Sequence, residues 1–197
     1  MLFRSKTFSP GDNHDSAAGV LSADWMTDKY NASAGYSDIQ QAFNAEMGFI
    51  PRRDIRKRSA GAGWTPRPHW RGVRQLSLSA AADSFENHAG LKLSSTNDAS
   101  FTLTRNDRSN VKVALASDFD HPTNPFKVGP ATITPGDYDW RTLSASATSD
   151  DSRRVYGGGG IDVGGYYGGD KQTIKAVAAK TTAKKPATKK AKPAEEK

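Results

Sequence analysis

Between residues 72 and 84, side chains alternate in kind at every second position. Leu76, Leu78, Ala80 and Ala82, with Arg74 before them, fall on one side, and Gln75, Ser77 and Ser79 on the other. A period of two belongs to a pleated strand with two unlike faces, whereas a helix would repeat every 3.6 residues. The same beat returns in Leu91 and Leu93, in Phe101 and Leu103, in Val111, Val113 and Leu115, in Leu143, Ala145 and Ala147, and in Ile161 and Val163. Turn-forming clusters separate these runs: Asn87-His88-Ala89-Gly90, Thr96-Asn97-Asp98, Asn106 to Asn110, and Ser149 to Ser152. Short polar turns between alternating runs predict an all-β, antiparallel meander of roughly eight or nine strands. Helical periodicity is confined to Tyr36–Met47, where Ile39, Phe43 and Met47 recur every fourth residue and predict a single helical turn.

The residues on the alternating faces narrow the choice among β folds. Apolar residues make up 36% of the chain, and many strand positions are Ser, Ala or Gly. A soluble sandwich needs more Val, Ile and Phe to fill the space between two sheets. Segments of about ten alternating residues joined by polar turns are instead the mark of a membrane-spanning barrel, which needs one greasy face and one wet one. A soluble all-β domain is the competing fold. No window approaches the roughly 18 apolar residues of a transmembrane helix. The opening stretch, MLFRSKTFSPGDNHDS, holds no apolar run of signal-peptide length, so no export signal is expected in this chain.

The net charge of +7 is unevenly placed. Residues 171–197 carry nine lysines and two glutamates, which leaves 19 basic and 19 acidic residues in 1–170. The chain therefore divides into a neutral β-rich body, 1–170, and a low-complexity Lys/Ala/Pro tail, 171–197, expected to be disordered because like charges repel and no apolar face exists. Lys184, Lys185, Lys189, Lys190 and Lys192 lie in a segment similar to the tails of linker histones. Such tails bind nucleic acid by counterion release without sequence preference. A soluble β domain with a nucleic-acid-binding arm is thus the alternative function, and a solvated tail without a partner is its bland counterpart.

Three stretches resemble the C-terminal domain of the bacterial family of unknown function DUF5916, which usually follows a carbohydrate-binding family 9-like module. The first runs from Tyr36 through Phe43, Asn44, Glu46, Gly48, Phe49 and Arg52 to Arg56. The second joins Pro125 and Phe126 to Gly136, Tyr138 and Trp140, and the third is Gly164-Gly165-Tyr166-Tyr167-Gly168-Gly169. The resemblance covers roughly residues 1–175 and implies part of an outer-membrane barrel, with the lipid bilayer as partner and a link to glycan handling. It also implies that the family's upstream module and first strands lie outside this chain, as in an excised piece of such a barrel. In that setting Phe49 and Ile50 would meet the lipid boundary, Arg52, Arg53 and Arg56 would reach headgroups or the wet side, and Trp64, His69 and Trp70 would suit an aromatic girdle.

Catalytic and cofactor chemistry finds little footing. The histidines His14, His69, His88 and His121 are dispersed without metal-ligand spacing, and the absence of cysteine removes thiolate sites and disulfides. Asp118, Asp120 and His121 read more simply as a polar loop before Pro122 than as a metal cluster. Asp137 and Asp139 flank Tyr138 and would share one face of a strand, the nearest approach to a paired-carboxylate site. A Pro-Gly-Asp turn entering a strand explains them as well. The glycines of 157–169 lack the following helix that a dinucleotide loop requires. The expectation is a non-enzymatic protein with no cofactor, no metal and no small-molecule substrate.

Overall fold

The computed structural model describes residues 2–6, 17–43, 53–150 and 156–177. The chain is all-β. In order, the strands are β1 (Leu2–Lys6), β2 (Ala17–Met26), β3 (Tyr30–Ile39), β4 (Ile55–Trp64), β5 (Val73–Glu86), β6 (Lys92–Arg105), β7 (Asn110–Asp120), β8 (Phe126–Val128), β9 (Ala131–Ile133), β10 (Tyr138–Thr148), β11 (Gly158–Tyr166) and β12 (Gly169–Val177). Ten of them form one antiparallel sheet in the order β1-β2-β3-β4-β5-β6-β7-β10-β11-β12, and β8 with β9 makes a separate two-stranded ribbon. Every strand of the large sheet pairs with its neighbour in sequence, except that the ribbon is inserted between β7 and β10.

The meander was legible from the alternation, but its count was not. Thr96-Asn97-Asp98, expected as a turn, lies inside the 14-residue strand β6, paired with Asp83, Ala82 and Ala81. Polar turn formers are tolerated there because Thr96 and Asp98 share the polar face and Asn97 stands at the margin of the apolar run. The expected helical turn is also corrected. Tyr36–Ile39 ends β3 in register with β4, and residues 40–43 form a turn in which the Phe43 amide donates to the Gln40 carbonyl at 3.2 Å. Residues 44–47 lie outside the described residues, as does the tail from 178 onward.

Register locks the two faces. One row across the sheet reads Tyr30, Trp64, Leu78, Phe101, Val113, Ala145, Ile161 and Ile174, each opposite the next. The next row reads Trp25, Ala32, Ala62, Ala80, Ala99, Leu115, Leu143 and Val163. On the other face the partners are Asn31 with Gly63, Ser79 with Ser100, and Ala114 with Ser144. A slip of one residue in any pair would mix the two sets, so the alternation itself fixes the pairing.

The connections differ between the two ends of the sheet. At one end the chain turns through 27–29, 65–72, 106–109 and 149–157, and at the other through 7–16, 40–54, 87–91, 121–137 and 167–168. Since the sheet has an even number of strands, β1 and β12 run antiparallel. The described chain therefore enters and leaves at the first, short-turn end.

Candidate functional site

Burial in this sheet is inverted relative to a soluble domain. Among the described residues the buried hydrophobic side chains are Phe43, Ile55 and Ile133, and no large side chain is fully enclosed. Leu78, Phe101, Val113, Leu115, Leu143 and Ile161 are instead 39–49% exposed. In β4 the exposed positions are Arg58, Ala60, Ala62 and Trp64, while Ser59, Gly61 and Gly63 are half-buried. In β7 and β10, Val113, Leu115 and Leu143 are exposed, while Ala114, Ala116, Thr142 and Ser144 are half-buried. At these positions the small and polar face is the more sheltered one, while Asp24, Asn31, Ser79, Asp98 and Lys112 on the same face are exposed.

Charge follows the same division. At mid-strand the polar face carries Asp24, Asp83, Asp98, Lys112 and Asp162, with Lys57 2.9 Å from Asp83 and Lys175 2.5 Å from Asp162. On the apolar face Asp38, Arg56, Arg58, Glu86, Asp139 and Arg141 all stand beyond the apolar run, toward the long-loop end. Arg58 is paired with Glu86 at 2.6 Å and Arg56 with Asp38 at 3.7 Å. At the opposite margin Trp25, Tyr30 and Trp64 project from the ends of β2, β3 and β4, and Trp70 in the 65–72 connection is 63% exposed. Trp25, Tyr30 and Trp64, with Leu78, Phe101 and Val113, border a shallow apolar depression of about 710 Å³ that also touches Ala62, Ala80 and Ala99. The expected girdle residues Trp64, His69 and Trp70 all lie at the short-turn end, whereas Arg56, expected at headgroups or the wet side, lies at the other.

All three motif stretches singled out in the sequence reach the long-loop rim. Phe43 is buried there, and Asn44, Glu46, Gly48, Phe49, Ile50 and Arg52 lie outside the described residues. The second and third stretches meet through their rings. Tyr167 lies 5.3 Å from Phe126, 5.3 Å from Tyr138, 4.8 Å from Trp140 and 4.9 Å from Tyr166, measured between centroids. Its hydroxyl donates to Asp120 at 2.5 Å. Tyr167 and Gly168 form the two-residue β11–β12 turn at φ of 46° and 79°. A positive φ at both central positions is the pattern of a type I′ turn, unfavourable for a tyrosine by roughly 1 kcal/mol. The ring contacts and the Asp120 bond hold it there. Gly136, at φ 151°, occupies backbone space that only glycine enters freely, and it leads the chain from the ribbon into β10. Pro125 precedes Phe126 at the ribbon's start.

Two of the carboxylate candidates have structural partners. Asp120 accepts from the Tyr167 hydroxyl, and an Asp137 carboxylate oxygen lies 2.6 Å from His121 Nδ1. Asp139 sits on the apolar side of β10 opposite Phe119, away from that contact. No group of three or more metal-ligating side chains converges among the described residues. The glycines of 157–169 run through β11, a turn and β12, with strand on both sides.

Sequence reading missed one constellation at the same rim. His88, in the β5–β6 turn, places Nδ1 2.6 Å from Asp54 and Nε2 2.8 Å from Asp38. Burial pulls the His88 pKa down, but the hydrogen bonds to Asp38 and Asp54 and the Asp38 charge outweigh it against the opposing Arg56. The net result lies above the ordinary 6.5. The partners are separated by 34 and 50 positions in sequence, so no local spacing could have disclosed them. Lys184, Lys185, Lys189, Lys190 and Lys192 lie outside the described residues. No protein-family model, no curated protein and no solved structure matches this chain.

Proposed function

We propose that the sheet is the wall of an outer-membrane-type β-barrel, or a large part of one, with its apolar face toward lipid. Its role would then be structural or transport-related rather than catalytic. The observation that carries this is the exposed apolar face: Leu78, Phe101, Val113, Leu115, Leu143 and Ile161 are 39–49% exposed, while Ser59, Gly61, Ala114, Thr142 and Ser144 on the opposite face are half-buried. A soluble domain buries its apolar face against a second layer, and the described residues supply none. In a bilayer the same arrangement is the favourable one.

Two further features fit. The apolar run shifts obliquely across the sheet. The middle of the run in β2, Ala23, connects row by row through Ala34, Ala60, Ala82, Asn97 and Ser117 to Arg141, whereas the middle of the run in β10 is Ala145. A drift of about four residues over about six strand steps amounts to a tilt of roughly 25° at standard strand spacings. Barrel strands must tilt against the membrane normal, so a level apolar band has to cross the pairing rows in this way. The run itself, Leu76 to Ala82 in β5, spans about 20 Å. Measured along the strand, that is shorter than the ~25 Å apolar band usual for outer-membrane barrels. Trp25, Tyr30 and Trp64 would then mark the interface on the short-turn side, which in outer-membrane barrels faces the periplasm.

The resemblance to DUF5916 rests on the three motif stretches and supports the same location, with glycan handling as the associated activity of the parent family. A ten-stranded closed barrel would be filled largely by its own side chains, which favours an anchoring role over an open channel. Refolding the full chain from urea into phosphatidylcholine vesicles tests the reading. The expected result is a β-type circular dichroism spectrum in vesicles with heat-modifiable gel migration, and aggregation in plain buffer. A monodisperse folded protein in plain buffer that ignores vesicles would overturn it and bring the soluble, tail-mediated nucleic-acid reading forward.

A further inference from the structure

We infer that His88 is a proton-operated clamp on the long-loop rim, fastening the β5–β6 turn to the ends of β3 and β4 while its ring carries both protons. The argument does not depend on lipid.

Both ring nitrogens lie against carboxylate oxygens, at 2.6 Å from Asp54 and 2.8 Å from Asp38. An ionised carboxylate only accepts hydrogen bonds, and a neutral imidazole has a single N–H. The doubly bonded arrangement is therefore complete only for the imidazolium. On losing a proton the ring keeps one of these bonds and turns a lone pair toward the other carboxylate. The three groups come from three separate places: Asp38 near the end of β3, Asp54 just before β4, and His88 in the turn after β5. The His88 amide adds a 3.4 Å bond to the same Asp54 oxygen. Asp54 itself has φ of 58°, left-handed backbone that the two contacts from His88 help retain.

The charged groups around the clamp are Asp38 from β3, Asp54, Arg56 and Arg58 from β4 and its approach, and Glu86 at the end of β5. Arg56 lies 3.7 Å from Asp38, and Arg58 takes up Glu86 at 2.6 Å. Glu86 is thus already neutralised, and Arg56 offsets part of the charge of Asp38. The titrating member is His88, whose folded pKa lies above 6.5. A raised histidine pKa means that the clamp's contribution is fully present below pH 6.5 and disappears as pH rises through the folded value.

The chain has no cysteine, so spin labels can be placed freely on introduced ones. Labels at Ala89 and Gln41 report the span between the β5–β6 turn and the turn after β3. Paired with an NMR titration of the His88 ring, they test the proposal on the otherwise unaltered chain. The expected result is a narrow distance distribution at pH 5.5 that broadens with a midpoint equal to the His88 pKa, while circular dichroism stays constant. Asp38→Asn with Asp54→Asn is expected to lower that pKa by at least one unit, a tenfold weaker hold on the proton. A distribution that ignores pH between 5.5 and 8.5, or a His88 pKa at or below 6.5, would overturn the clamp.

Discussion

Val113 and Ala114 are adjacent in β7, yet they stand on opposite faces with different neighbours. Val113 stands between Phe101 and Ala145 and is 41% exposed, in a surface of carbon. Ala114 stands between Ser100 and Ser144 on the sheltered side, where Asp98 and Lys112 are close by along the strands. A protein folded by enclosing an oily core would have this the other way round. The difference teaches what the proposed bilayer setting has to explain: the apolar face is presented rather than covered, and the opposite face is lined largely with small residues.

The sharpest way to break that comparison is to put a charge on each face. Val113→Arg, near the middle of the apolar row, is expected to cost about 2–4 kcal/mol in urea unfolding from vesicles. Ala81→Arg lies on the polar face directly opposite Asp98 and is expected to change stability by less than about 0.5 kcal/mol. Equal costs at the two positions would remove the distinction between the faces.

A smaller effect is expected at the long-loop rim. Tyr167→Phe keeps the ring among Phe126, Tyr138, Trp140 and Tyr166 but deletes the bond to Asp120. The loss should be about 1.5–3 kcal/mol, the range for a hydrogen bond to a charged acceptor. Unchanged stability would mean that ring packing alone holds the β11–β12 turn. Smallest of all is Arg58→Ala. Its side chain is 62% exposed, and an exposed pair such as Arg58 with Glu86 contributes no more than about 1 kcal/mol, decreasing with salt. A larger, salt-insensitive loss would show that this margin of the apolar face is drier than its exposure indicates.

Much of the sheet was legible because period two is a local signal. The runs at Leu76–Ala82, Val111–Leu115 and Leu143–Ala147 needed no knowledge of their partners, and the Asn87–Gly90 turn announced itself. The strands β2 and β3 were missed because Ser, Ala, Gly and Asn fill them, and weak alternation of small residues looks like loop. Thr96-Asn97-Asp98 misled for the complementary reason, since on a wet strand face a turn former carries no penalty. The rim was only partly readable. Gly136, Tyr138 and Trp140 were singled out only through the family resemblance. That Tyr167 closes a ring cluster with Phe126, and that His88 lies between Asp38 and Asp54, are consequences of register across the sheet. Such contacts join residues tens of positions apart and leave no spacing to detect.

The central claim is that one face of the sheet meets hydrocarbon and the other does not. A nitroxide scan of β7 in phosphatidylcholine vesicles, one label at a time from Val111 to Ala116, tests it directly by comparing relaxation from oxygen, which partitions into lipid, with that from a water-soluble nickel chelate. The account expects a period of two, with positions 111, 113 and 115 lipid-accessible and 112, 114 and 116 shielded from lipid. Uniform accessibility to the nickel chelate along the strand, with no alternation, would contradict it.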